Sequence, residues 1–253
     1  MSRRAVVMAG VGVALAGCGH ARSNDLPSTE PSASTSPGTD VNSMPATSAP
    51  PPSAGALEAA WVDGLGYAHS DLPSSGTFVY NTVTVPTTAT NPDVRAWVLQ
   101  MEDAIPLPVD EIAARIQTIL DDERSWRWDG RIAFSLINEP ARADLTIQLA
   151  TGRTTDVGCG ELGTSQILSC RVGNTVYLNV DRWAFGTPTW ASQPVEEYRG
   201  YLVNHEVGHY LGLGHVGCPV NGGPSPVMQQ QSLKLDSCAP NAWPAVTGET
   251  GIG

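Results

Sequence analysis

The apolar and polar positions of this chain change period several times, and each change marks an element. Residues 77–85 (TFVYNTVTV) are mostly β-branched or aromatic, a composition that suits a pleated strand. Pro108-Val109-Asp110 then opens a helix with an acid in its first turn. Ile112, Ile116, Ile119 and Leu120 continue it as an apolar stripe at helical spacing. Residues 131–137 and 144–149 read as strands, the second with Leu145, Ile147 and Leu149 alternating. Residues 175–180 supply another strand and 196–213 a second long helix. The order β-α-β-β-(β)-β-α predicts an α+β fold, with two main helices packed on one mixed, twisted sheet.

Upstream of residue 56 this patterning stops. Arg3 and Arg4 precede an uncharged run of small and apolar residues at 5–16, followed by Leu15-Ala16-Gly17-Cys18. Twelve residues are too short to span about 30 Å of hydrocarbon as a helix, but they suit an export signal. The Leu-Ala-Gly-Cys ending resembles a bacterial lipoprotein signal. That resemblance implies that Cys18 is lipidated, becomes the first mature residue, and anchors the protein to the outer face of the cytoplasmic membrane. Of the 37 residues at 19–55, 27 are Pro, Ser, Thr, Ala or Gly, too few apolar groups to offset the entropy of ordering. The expected organisation is therefore a signal segment at 1–18, a tether at 19–55 and one folded domain at 56–253.

Charge narrows the partners. With 14 basic against 25 acidic residues the net charge is -11, and no basic face is available to track nucleic-acid phosphates. The three acids and three arginines before residue 56 cancel, so the whole excess falls on the folded domain. A monomer acting on a peptide or protein is expected.

The candidate chemistry is concentrated at 205–215, which reads HExxHxxGxxH. On a helix His205 and His209 are four residues apart and share a face, a separation that suits two corners of a tetrahedral metal site. Glu206 is rotated about 100° from His205, within reach of a water on that metal. Gly212 stands where the helix must end if His215 is to return as third ligand, because glycine accepts the left-handed turn. Three protein ligands leave a fourth position open, as in a catalytic zinc site.

This segment resembles the zinc motif of the metzincin metallopeptidases, whose helix is followed by a small irregular C-terminal subdomain with a methionine turn. Met228, in Pro224-Ser225-Pro226-Val227-Met228, supplies the candidate. Residues 215–231 also resemble an uncharacterised actinobacterial group of exported metzincin-like proteins. The resemblance implies one catalytic Zn2+ on His205, His209 and His215, Glu206 as general base, and hydrolysis of peptide bonds at the cell surface. It further implies a substrate laid along a sheet edge near residues 166–171. Other readings of the motif are a zinc amidase acting on cell-wall peptides and a non-catalytic, zinc-containing binding lipoprotein. One departure stands out: Gln230 occupies the place where some metzincins carry a tyrosine. Tyr198, Tyr201 and Gln229 are the remaining candidates for electrophilic help.

Cys159, Cys170, Cys218 and Cys238 are four in an exported chain, which implies disulfides with three possible connectivities. The favoured pairing is Cys159–Cys170, pinning the edge loop, with Cys218–Cys238 bracketing the methionine turn. His69 and Asp71 read as surface residues without partners. Trp126, Trp128 and Trp183 read as packing aromatics. Asp63, Asp121, Asp122 and Asp181 lack the spacing of a calcium loop.

Overall fold

The computed structural model describes residues 57–90 and 93–251, all within one compact unit. The expected signal segment, tether and lipidated Cys18 lie outside the described residues. The elements in chain order are β1 (Trp61–Val62), β2 (Ala68–His69), β3 (Phe78–Tyr80), β4 (Asp93–Glu102), α1 (Val109–Leu120), β5 (Ile132–Leu136) and β6 (Leu145–Ala150). They continue with α2 (Gly152–Cys159), β7 (Cys170–Val172), β8 (Thr175–Asn179), α3 (Val180–Phe185), α4 (Val195–Tyr210) and α5 (Pro244–Thr247).

The main sheet is mixed and runs β3-β4-β6-β8-β7, with β5 also paired to β4. β5, β6 and β8 join through parallel pairings, while β3 and β7 run antiparallel to their neighbours. The fold is α+β, as the order of elements implies.

One face of the sheet carries the core. Trp97, Leu99 and Met101 of β4 share that face with Phe134 and Leu136 of β5, Leu145, Ile147 and Leu149 of β6, and Val176 and Leu178 of β8. The period-2 alternation of strands sends these residues one way. Gln100 and Gln148 point the other way, and Gln148 Nε2 donates to Gln100 Oε1 at 2.7 Å. α1 buries Ala113, Ile116, Ile119 and Leu120 in the same core, and α4 adds Tyr198, Tyr201, Leu202, Val203 and Val207. A buried amide links helix to sheet: Trp97 Nε1 donates to Gln117 Oε1 at 2.7 Å, and Gln117 Nε2 donates to the Phe134 carbonyl at 2.8 Å.

Several elements were not legible as such, among them the short β1, β2 and α5. β4, the central and longest strand, places Val94, Trp97, Val98 and Met101 at i, i+3, i+4 and i+7, so its periodicity fits a helix as well as a strand. α2 and α3 are too short to show a stripe. Residues 77–85 shrink to the three residues of β3, with Val85 returning only as an isolated bridge to Leu136. Trp126 and Trp183 are fully buried, whereas Trp128 is partly exposed and donates from Nε1 to the Glu249 carbonyl at 2.7 Å.

Both disulfides form as expected, Cys159–Cys170 and Cys218–Cys238. They mark a chain that folds in an oxidising compartment outside the cytoplasm. Among the described residues no helix is long and apolar enough to cross a membrane.

Candidate metal centre

α4 is buried almost all round from Tyr198 to Gly208, as a helix running through a core should be. Its first turn carries Glu196 and Glu197 at the positive end of the helix dipole. Asn204 fixes its middle. The Asn204 side chain accepts from Ser125 Oγ at 2.7 Å and donates to the Ala242 carbonyl at 3.0 Å, and its own carbonyl receives Trp126 Nε1 at 2.9 Å.

The helix stops where the third histidine requires it to. Gly212 has φ +89°, and the Leu213 N–H donates back to the Gly208 carbonyl at 3.0 Å. A left-handed residue combined with a six-to-one hydrogen bond is the Schellman ending. It turns the chain so that His215 meets His209 and His205.

The three imidazoles are brought together as expected. One ligand atom from each lies within 4.8 Å of the others, and Nε2 of His209 is 3.0 Å from Nε2 of His215. His205 is buried, His209 half-buried and His215 exposed. The outer nitrogens of His205 and His209 are committed elsewhere. His205 Nδ1 is 2.7 Å from the Val227 carbonyl, and His209 Nδ1 is 2.8 Å from the Leu213 carbonyl. A carbonyl only accepts, so each Nδ1 carries the proton and each Nε2 presents a lone pair inward. This is the second-layer arrangement that orients histidine ligands. Burial is the main reason the His205 imidazole is held down to about 3, with His209 adding to it. The ring is therefore a neutral donor throughout the physiological range.

The donor set fits a metal ion. It offers three neutral nitrogens on one side, and among the described residues no fourth His, Cys, Asp or Glu joins the group. Glu206 completes the site from the same helix. Its Oε2 is buried without a hydrogen-bond partner among the described residues, and burial pushes the carboxyl up to about 8 against the opposing pull of Arg171.

Met228 lies in a tight turn, with Gln229 N–H donating to the Pro226 carbonyl at 3.0 Å. The turn presses on α4 from below: a Cβ placed on Gly208 would stand 2.3 Å from Met228 Sδ. It is also tied to the histidines. The Val227 carbonyl receives His205, and the Met228 carbonyl accepts from Val216 N–H at 3.2 Å. Glu249 fixes the turn from the C-terminal end, its carboxylate accepting the N–H groups of Val227 at 2.6 Å and Met228 at 3.0 Å. Nothing local to Glu249 announces that role, since its partners lie 22 and 21 residues away.

The site opens into a cleft of about 270 Å³, lined on one wall by Leu168 to Arg171 and on the other by Gln230, Ser232 and Leu233. Among the described residues β7 is the outer strand of the sheet here, paired only to β8. Of the candidates for electrophilic help, Tyr198 spends its hydroxyl on Ser232 Oγ at 2.9 Å, and Tyr201 donates to the Gln229 carbonyl at 3.1 Å. The Gln229 side chain is held by Ser225 at 2.7 Å. Gln230 does line the cleft.

His69 departs from the expectation of a surface residue. It is buried, stacked on Trp61 at 4.1 Å, and flanked by Asp63 at 3.2 Å and Asp181 at 3.5 Å. Asp121 lies apart from these, bound to Thr87, Thr88 and Arg127, so the four aspartates do not form one cluster.

The chain belongs to the family described as "Protein of unknown function (DUF3152)", which it matches over residues 65–244. No curated protein and no solved structure matches it.

Proposed function

We propose that this chain is an exported, zinc-dependent hydrolase of peptide bonds, metzincin-like in its site and tethered to the outer face of the membrane through Cys18. One observation carries the reading: three inward-facing imidazole nitrogens and an unpartnered, buried Glu206 carboxylate share one end of an open cleft. A purely structural zinc site is usually closed by a fourth protein ligand, and this donor set stops at three.

His205, His209 and His215 would hold the ion. When bound, zinc supplies a Lewis acid that polarises a carbonyl and acidifies water. Glu206 Oε2 accepts a proton from the attacking water and returns it to the leaving amine. A dication held by the neighbouring imidazoles favours the ionised carboxylate, so the base function belongs to the loaded site. The Val227 and Leu213 carbonyls hold the rings of His205 and His209 in register throughout. The free edge of β7 offers backbone groups to an extended peptide, as an added strand.

Glu206→Ala in the full chain tests the mechanism. Peptide cleavage should fall by about 10²–10⁴-fold, with one zinc still retained per chain by metal analysis. Unchanged turnover in that variant would overturn the role given to Glu206.

A further inference from the structure

Most described arginines, from Arg95 to Arg199, hold a carboxylate within 4.0 Å. That is ordinary in a chain with a net charge of -11. Arg171 and Arg182 stand apart, each with a buried guanidinium nitrogen that has no hydrogen-bond partner among the described residues, and of the two only Arg171 lines the cleft of the histidines. Arg171 sits in the middle of β7, opposite Val176 of β8, and follows Cys170, whose disulfide to Cys159 fixes the strand. It lines the cleft, yet its Nε is buried with no hydrogen-bond partner among the described residues. The other cleft walls are aliphatic or neutral, including Leu162, Leu168, Leu202 and Leu233, and the only carboxylate among them is Glu206. Glu206 makes neither a hydrogen bond nor an ion pair with Arg171, and its own Oε2 is unpartnered.

A guanidinium presents a rigid fork of donors that matches a carboxylate, and leaving such a donor buried and unpaired costs stability. In a cleft, a ligand that supplies the missing partner removes that cost. Resting on the reading of this cleft as a peptide site, we propose that Arg171 selects substrates bearing a carboxylate close to the bond that meets Glu206. The carboxylate is either an acidic side chain or a free C-terminus. Two neutral features agree with this. Gln230 and Ser232, across the cleft, repel no anion, and the ligand histidines are uncharged donors.

Binding rather than turnover tests it. The full chain carrying Glu206→Ala and loaded with zinc is titrated with a set of hexapeptides. These carry Glu or Gln at one position and end in a free or an amidated C-terminus. Peptides with the matching carboxylate should bind about ten- to a hundredfold more tightly than their amides, the range of a charge-assisted pair. If the Glu-for-Gln change matters, the source is a side chain; if amidation matters, it is the C-terminus. Arg171→Gln should erase the difference and Arg171→Lys should keep part of it. Zinc affinity should be unchanged in both, and the thermal midpoint should not fall. Equal binding of acid and amide, including no binding of either, overturns the proposal. So does a preference that survives Arg171→Gln, since the carboxylate would then be held by the metal. If the preference appears but unmutated protein cleaves none of these peptides, the hydrolase reading falls and the carboxylate site stands.

Discussion

Glu102 shows how one residue can be decided by neighbours far along the chain. It ends β4 fully buried and accepts from the N–H groups of Ser75 at 2.7 Å, Gly76 at 2.9 Å and Thr151 at 2.8 Å, and from the Thr154 hydroxyl at 2.7 Å. Burial, the largest single influence, would raise its pKa. The Gly76 and Thr151 N–H groups and the Thr154 hydroxyl together outweigh it and hold the carboxyl below its ordinary 4.5. A depressed folded pKa contributes stability that is present above the unfolded value and lost as pH falls through the folded one. Glu102→Gln should therefore cost about 1–3 kcal/mol near pH 7 in urea unfolding. That deficit should shrink as the pH is taken below about 4.5. A deficit that does not change with pH would show that the carboxylate's charge is irrelevant there. The same contrast explains what was legible residue by residue. His205, Glu206, His209, Gly212 and His215 are close in sequence, so their spacing alone specifies the geometry. Glu102, Arg171 and Glu249 gain their roles from partners on other elements, and no local pattern records that.

Among the elements, α4 was readable in its start and in the glycine that stops it, although the span 196–213 runs three residues past Tyr210, but not in what presses on it. Its start follows Pro194 and its end is set by Gly212, both visible in the sequence. Gly208, between the two helix histidines, reads only as a weak helix former. In the fold it is the point of closest approach: an added Cβ would meet Met228 Sδ at 2.3 Å and Trp126 Cζ2 at 2.8 Å. Alanine would gain about 1 kcal/mol in helix propensity, but overpacking a filled core typically costs about 1–3 kcal/mol. The thioether can shift, whereas Trp126 is fully buried and anchored to the Asn204 carbonyl. Gly208→Ala should therefore lower stability in chemical denaturation. In a cycle with Met228→Ala the two effects should couple by about 0.5–3 kcal/mol, as contacting residues do. Strict additivity would mean that the methionine turn does not bear on the helix. β4 was hidden for a related reason. Val98 and Glu102 are buried on the face opposite the core residues, so the strand loses its alternation, and it also matches a helical spacing.

At the scale of the whole molecule, the two disulfides divide the cleft between them. Cys218–Cys238 closes 20 residues and contains the methionine turn, beginning three residues after His215. Cys159–Cys170 closes 11 residues and holds the strand that carries Arg171. In the chain-entropy model each closure is worth about 3 kcal/mol, so the two should look alike in a thermal melt. Their effects on the site should differ. His215 is the exposed ligand, held by the loop that returns to Met228 through Val216. Replacing Cys218 and Cys238 by serine should loosen that loop and weaken zinc binding in a competition titration with a chromogenic chelator. Serine at Cys159 and Cys170 leaves the three histidines and their carbonyl partners in place. It should lower the melting point by a similar amount while zinc affinity stays at the wild-type value, and it should blunt the discrimination between acid and amide peptides. Equal loss of zinc affinity in both double variants would mean that the cleft behaves as one cooperative unit, with no division of labour between its walls.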